Sequence, residues 1–397
     1  MHAPLRVAPA RAPFVAVAGL SARLFTESAL RGGLNVAALD VFGDRDTRQR
    51  ARLWLDIGGA PLAVDPDKLF EALARVARLP RMLGFIAGGG LEPFAASLHD
   101  RPRLPRLIGN DAHATAAVRT PQRFFALLDE LGVAHPPVSF MPPAQPEGWL
   151  GKRADGCGGT HIRPAADLTA APDYFQRIGS GRAMSALFIA ARGSVRIVGF
   201  ADQLTVALGA MPYVHAGSLG PIDLPPQVAA QIDGALQAIV ARTGLVGMNS
   251  LDFLLDGERI SVLEINARPS SSAALYELAA PAAWPHGLLA AHIDACLKER
   301  LPPTPPASGE TRYAAQRVAF APSSFTVSQR FSDALFAASS YRDVPLPGTT
   351  IPAGAPVCTV IVSTSTAAAL HGELERQHAH LLELIDTCRE SHDDFIT

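Results

Sequence analysis

The stretch Leu263-Glu264-Ile265-Asn266-Ala267-Arg268-Pro269 decides how this chain is read. Leu263, Ile265 and Ala267 alternate with Glu264, Asn266 and Arg268. A strand here turns its apolar residues one way and a carboxylate, an amide and a guanidinium the other. Three such groups converging on one spot make poor core packing. They suit a hard cation beside a phosphate, with oxygens for magnesium and a fork for phosphoryl oxygens. Just upstream, Met248 to Leu255 and Ile260 to Asn266 read as two strands joined by Asp256-Gly257, a strong hairpin turn. The hairpin brings in Asp252 as a second carboxylate. The plain alternative is a solvent-facing ladder of ordinary charges, and the apolar neighbours Leu251, Phe253, Leu254 and Leu255 argue against it.

Upstream again lies Leu150-Gly-Lys152-Arg-Ala-Asp-Gly156-Cys-Gly158-Gly159-Thr160. A strand carrying Lys152 places its ammonium where a phosphate could sit. The glycines after it allow backbone N–H groups to approach phosphate oxygens without side-chain obstruction. This is not a P-loop, because the lysine precedes the glycines and no G-K-[ST] follows. Read alone, the segment fits a bland glycine-rich turn equally well. His161 reads more readily as a loop side chain than as a phosphate contact. Cys157 has no His/Asp arrangement aimed at it, so a nucleophile is not expected.

Before these motifs the pattern is α/β. Phe14 to Gly19 reads as a strand, Ala22 to Leu30 as a helix, and Asn35 to Leu39 as a second strand ending in Asp40. Asp67 to Arg78 (helix), Met82 to Ala87 (strand) and Gly88-Gly89-Gly90 follow, and a parallel sheet is expected. Gly19 stands alone where a dinucleotide fingerprint needs three glycines, so a nicotinamide site is not the leading reading. An amphipathic helix from Arg119-Thr-Pro121 to Leu131 and a proline-rich linker or edge, Pro136 to Glu147, lead into short strands of α+β character: Trp149 to Arg153, Ala186 to Ala191, Val195 to Ala201. Val228 to Thr243 reads as a helix. Pro302 to Ser308 is a second break. Beyond it come strands at Gln316 to Ala321 and Pro356 to Val362 and a helix from Ala367 to Ile385.

The 397 residues exceed one small core and suggest two or three domains. A composition 48% hydrophobic and 18% charged is that of a globular protein. A formal net charge of −2 gives no field that would draw the chain to nucleic acid or an anionic membrane, and neither partner is expected. The four cysteines show no zinc spacing and no need to staple so large a chain. With no signal-peptide core and no span, a cytoplasmic protein is expected.

Together, a lysine strand with a Gly-Gly loop and a D-F hairpin closing in E-x-N-x-R-P resemble the ATP-grasp superfamily of carboxylate–amine ligases, from about Asn110 to Glu277. The resemblance implies a Rossmann-like pre-ATP-grasp domain (1–108), a two-subdomain ATP-grasp domain (109–300) and a C-terminal β-containing segment packing on it (301–397). The fold class is thus α/β plus α+β. It also implies ATP and Mg2+, with Mn2+ as a possible substitute, and small-molecule carboxylate and amine substrates joined through an acyl-phosphate. Position by position, Lys152, Gly156, Gly158, Gly159, Thr160 and Gln176 would contact ATP, the glycines forming a mobile loop and Gln176 standing in for the usual acidic ribose residue. Asp252, Glu264 and Asn266 would hold the metal. Arg268 and Lys152 would be catalytic, and Ser270 and Ser271 would meet substrate, unless Ser270-Ser271-Ser272 is only an N-cap for Ala273 to Leu278. The family's usual first lysine is missing, leaving Arg119 or Arg123 to replace it.

A finer resemblance rests on Ser185-Ala-Leu-Phe-Ile-Ala, Gly199-Phe-Ala-Asp-Gln203, a Gly217-Ser-Leu-Gly-Pro221 loop and Pro347-Gly348…Gly354-Ala-Pro-Val-Cys-Thr359. These are similar to a subgroup near the tyramine–glutamate ligase of methanofuran and methylofuran biosynthesis, which implies a role in one-carbon cofactor biosynthesis with the glutamate γ-carboxylate and an aromatic amine or amino acid, tyramine or tyrosine. Two other readings stand beside it: a carboxylase-type enzyme using bicarbonate, and a catalytically idle nucleotide-binding protein. A homodimer, the commonest assembly of soluble enzymes, is the expected state.

Overall fold

The computed structural model describes residues 11–59, 63–304 and 312–393. The start of the N-terminal stretch and most of the Pro302 to Ser308 break lie outside the described residues. Phe14–Gly19, Asn35–Asp40, Leu53–Asp56 and Met82–Ala87 form a parallel sheet in the order third, second, first, fourth. Alternate residues of the first strand serve opposite faces, as strand geometry requires. Val15 and Val17 pack with Leu24 and Phe25 of helix Arg23–Arg31, while Ala16 and Ala18 pack with Leu69, Phe70 and Leu73 of helix Pro66–Val76. Burial of both faces explains why Phe14–Gly19 and Asn35–Asp40 read as continuous apolar runs.

A small antiparallel sheet follows, in the order Val138–Ser139, Tyr174–Arg177, Trp149–Lys152, Arg163–Pro164. It faces a large antiparallel sheet of eight strands: Arg259–Asn266, Gly247–Asp256, Arg182–Ala191, Ser194–Leu208, Met211–Gly220, Tyr313–Phe320, Pro356–Thr364 and Tyr341–Arg342. Helices Pro121–Leu131 and Pro226–Thr243 cover one face of the large sheet, with Phe124, Leu128, Ile232 and Leu236 packed on Phe188, Leu251 and Phe253. The small sheet is tied at both ends to the hairpin formed by Gly247–Asp256 and Arg259–Asn266. On the way in, Val262 N donates to Ala134 O at 2.8 Å. On the way out, Ser180 Oγ donates to Asp256 Oδ2 at 2.6 Å.

Two expectations change. The C-terminal segment does more than pack on the preceding unit: Tyr313–Phe320 pairs with Met211–Gly220 and so extends the large sheet. Gly217 to Pro221 is not a loop; up to Gly220 it is the end of that strand. Its glycine, which suggested a turn, is required by close approach, since a Cβ on Gly217 would lie 2.0 Å from Gln316 O. Helices Ala112–Arg119, Leu288–Lys298 and Gln329–Ala337 were not expected. No helix among the described residues is long and apolar enough to cross a membrane.

One buried side chain joins these units. His292 Nδ1 accepts from Met248 N at 2.8 Å and Nε2 pairs with Ile108 O at 3.0 Å, so the ring is a neutral Nε2–H tautomer whose pKa burial holds down to about 4. His292→Ala strands both backbone groups, and a loss of about 3 kcal/mol is expected in a urea unfolding curve. A midpoint that does not move would rule out this structural role.

Candidate active site

The small and large sheets enclose a cavity of about 360 Å³, reached by Lys152, Gln176, Asp252, Glu264, Asn266 and Arg268. From the small sheet comes Lys152, buried at the end of its strand, with Nζ donating to Gln176 Oε1 at 2.6 Å. Burial lowers the Lys152 pKa, because the ammonium has lost water and has only the more distant Glu264 and Asp252 charges to compensate. Gln176 Nε2 is buried without a partner and is a donor in waiting beside the lysine.

From the large sheet comes the hairpin, in which Asp252 stands opposite Glu264 and Ser250 opposite Asn266. Burial, then the neighbouring Glu264 charge, pushes the Asp252 carboxyl up to about 8. Burial works against ionisation of Glu264 too, yet Arg119, Lys152, His161 and Arg268 together hold it below the usual carboxylate range. Two facing carboxylates under mutual repulsion are the donor chemistry of a hard divalent cation, which lets both ionise. Asn266 departs from the expectation in one respect: its Nδ2 donates to Asp252 Oδ2 at 3.0 Å, so its amide must turn before its oxygen joins a metal. Among the described residues no three His, Cys, Asp or Glu side chains form a metal cluster. A carboxylate pair nonetheless suffices for magnesium, which keeps waters and phosphate oxygens in its remaining positions.

The glycine loop closes on the strand Met211–Gly220. His215 N donates to Gly158 O at 2.9 Å, and a Cβ on Gly159 would lie 1.8 Å from Tyr213 O. Gly158 and Gly159 line the cavity; Gly156 instead packs under the His161 ring, and Thr160 points to solvent with Oγ1 on Cys157 O. Burial, then Glu92, pushes the Cys157 thiol up to about 11, which keeps it protonated and unreactive.

Arg119, not Arg123, reaches the site. Its Nη2 donates to Ala154 O at 2.6 Å and Gly156 O at 3.0 Å, and Nη1 lies 3.9 Å from Glu264. Arg123 is exposed on its helix. Ser270 and Ser271 line the cavity, and the Ser271 carbonyl accepts from Gln316 of the C-terminal segment at 3.0 Å. Ser272 occupies the helix N-cap position without a side-chain cap, its Oγ pairing with Ser270 Oγ at 3.1 Å. The capping alternative therefore loses its side-chain bond.

Residues 122–272 match the family model described as the ATP-grasp domain. The fold is the ATP-grasp fold. No match was found among the curated proteins. Among solved structures, the L-amino acid ligase of Bacillus licheniformis aligns with a TM-score of 0.65 at 14% identity, over 95% of this chain and 98% of that one. The biotin carboxylase domain dimer of Hydrogenobacter thermophilus 2-oxoglutarate carboxylase, in complex with MgADP, ADP and bicarbonate, aligns at 0.65 and 14%, over 89% and 86%. The carboxyaminoimidazole ribonucleotide synthase of Aspergillus clavatus, complexed with ATP, aligns at 0.66 and 12%, over 95% and 99%.

Groups that sequence reading missed stand in this cavity and beside it. Arg268 Nε donates to Glu92 Oε1 at 2.6 Å, and Gly90 N donates to Glu92 Oε2 at 2.7 Å. Glu92 is 176 residues from its partner, and its only signal was the Gly88-Gly89-Gly90 turn before it. Gln203 bonds Asp252 from the next strand but one, and His215, held down to about 4 by burial and by Arg268, is a neutral ring at the same wall.

Proposed function

We propose that this chain uses Mg-ATP to activate a carboxylate and ligate it to an amine. The observation that carries the reading is the facing of Lys152 on one sheet by the Asp252–Glu264 pair and Arg268 on the other, across one cavity. Bound magnesium would neutralise phosphate charge beside Asp252 and Glu264. Lys152 and the backbone of Gly158 and Gly159 hold phosphate oxygens, and Gln176 offers its free Nε2 to the nucleotide. Arg268, fixed by Glu92, stabilises the transferring phosphoryl group. A substrate carboxylate oxygen attacks the γ-phosphorus and ADP leaves. The amine then attacks the acyl carbon, phosphate leaves, and the amine gives up a proton.

The finer reading is glutamate γ-carboxylate with tyramine or another aromatic amine, serving a one-carbon carrier cofactor in the cytoplasm, with the protein a homodimer. It is supported by the subgroup resemblance. ADP release measured with Mg-ATP and pools of carboxylates and amines tests both levels. Release that requires one member of each pool upholds ligation. Release with bicarbonate alone points to carboxylation, and nucleotide binding without turnover to an idle protein.

Lys152→Met keeps the buried stem and removes the charge. Nucleotide affinity is expected to fall about 30-fold, the equivalent of ~2 kcal/mol for a charge-assisted hydrogen bond. Isothermal titration with a non-hydrolysable ATP analogue checks it, and unchanged affinity would remove Lys152 from the nucleotide site.

A further inference from the structure

A second cavity, of about 460 Å³, lies on the other side of Arg268. It opens between the N-terminal domain and helix Ala112–Arg119, and it meets the nucleotide cavity only at Asn266 and Arg268. Ala112, Thr115, Ala116 and Arg119 face it at helical spacing, and Ala95 and Leu98 face it from helix Ala95–Asp100. Leu107, Ile108 and Ala267 complete an apolar lining. Protein interiors are otherwise close-packed, and small side chains on two facing helices leave room that Leu or Phe would have filled. An apolar chamber with a few convergent polar groups is the form of a small-molecule site.

The charged groups at its inner end give the chamber a polarity. Glu92 is already engaged by Arg268 Nε and Gly90 N. Asp155, the other carboxylate of the lining, is engaged by Arg153. Arg119 spends Nη2 on Ala154 O and Gly156 O but keeps its nearest carboxylate at 3.9 Å, and the Arg268 Nη atoms have only bonds of 3.4 Å. The unspent capacity there is cationic and donating. We infer that this chamber holds the apolar body of the acid substrate, an arylalkyl or branched aliphatic carboxylate whose head group emerges between Arg119 and Arg268 where phosphoryl transfer occurs. The inference rests on the ligase reading alone and departs from the glutamate assignment, because an apolar chamber selects an apolar carboxylate as the acid.

The test uses the full chain and 3-phenylpropionate as probe, with phenethylamine and glutamate as controls. Titration calorimetry is run with wild type, Ala116→Phe and, approaching from the exposed rim, Ala96→Trp. The expected result is binding of 3-phenylpropionate that weakens at least tenfold in either folded variant, while affinity for a non-hydrolysable ATP analogue stays within about twofold. Probe binding that neither variant disturbs, no probe binding by a protein that binds nucleotide, or preference for phenethylamine or glutamate would each overturn the assignment. If the nucleotide analogue fails to bind but the probe binds and is excluded by the variants, the ATP reading falls and the chamber stands.

Discussion

Glu264→Gln is expected to lower turnover by about three orders of magnitude while leaving the protein folded. The substitution is isosteric and removes one charge from the carboxylate pair. Glu264 is the member that stays ionised, held so by Arg119, Lys152, His161 and Arg268 against the cost of burial. A magnesium ion held by this pair would lose its stronger anchor. The fold loses the favourable contacts of the Glu264 charge with Arg119, Lys152, His161 and Arg268, and part of that loss is offset at Asp252, whose carboxyl burial and then the Glu264 charge push up to about 8. ADP release at saturating Mg-ATP is the readout, with thermal melting as the control for folding. Activity within tenfold of wild type would remove Glu264 from the metal site.

Arg268→Ala is expected to act on the chemical step more than on nucleotide binding: kcat should fall about 10³-fold, with the dissociation constant of a non-hydrolysable ATP analogue changing less than about fivefold. The guanidinium sits where the two cavities meet, and a cation there is worth most when charge spreads over the transferring phosphoryl group. Arg268→Lys should recover only part of the loss, because an ammonium cannot both bond Glu92 and extend a fork toward the reaction centre. Equal losses in kcat and nucleotide affinity would mean that Arg268 merely binds ATP.

How much of this was legible in the sequence follows from how local each signal is. The Glu264/Asn266/Arg268 face was readable from strand alternation, but Asp252 joins it only through a register shift between Asp252 and Phe253 that skips Leu263 and that the Asp-Gly turn does not encode. Phe14–Gly19 and Asn35–Asp40 were readable because they are buried on both faces and end at glycine and aspartate, whereas the half-buried Leu53–Asp56 was not read as a strand. Glu92, Gln203 and His215 were not, because they enter the site from other strands and loops through tertiary packing that no spacing encodes. The C-terminal strands were visible as strands, but their pairing with Met211–Gly220 was not. Gly217 misled for a physical reason: a glycine demanded by a neighbouring backbone looks in sequence like one demanded by a turn.

Two ties of the small sheet, Ala134 O on Val262 N and Ser180 Oγ on Asp256 Oδ2, end on the hairpin that carries Asp252 and Glu264, while its glycine loop is bonded through Gly158 O to His215 N and through Ala154 O and Gly156 O to Arg119. The strand pair that presents the two acids therefore also anchors the sheet that presents the ammonium, so a change at Val262 or Asp256 alters the reach of Lys152 as directly as a change beside Lys152 itself.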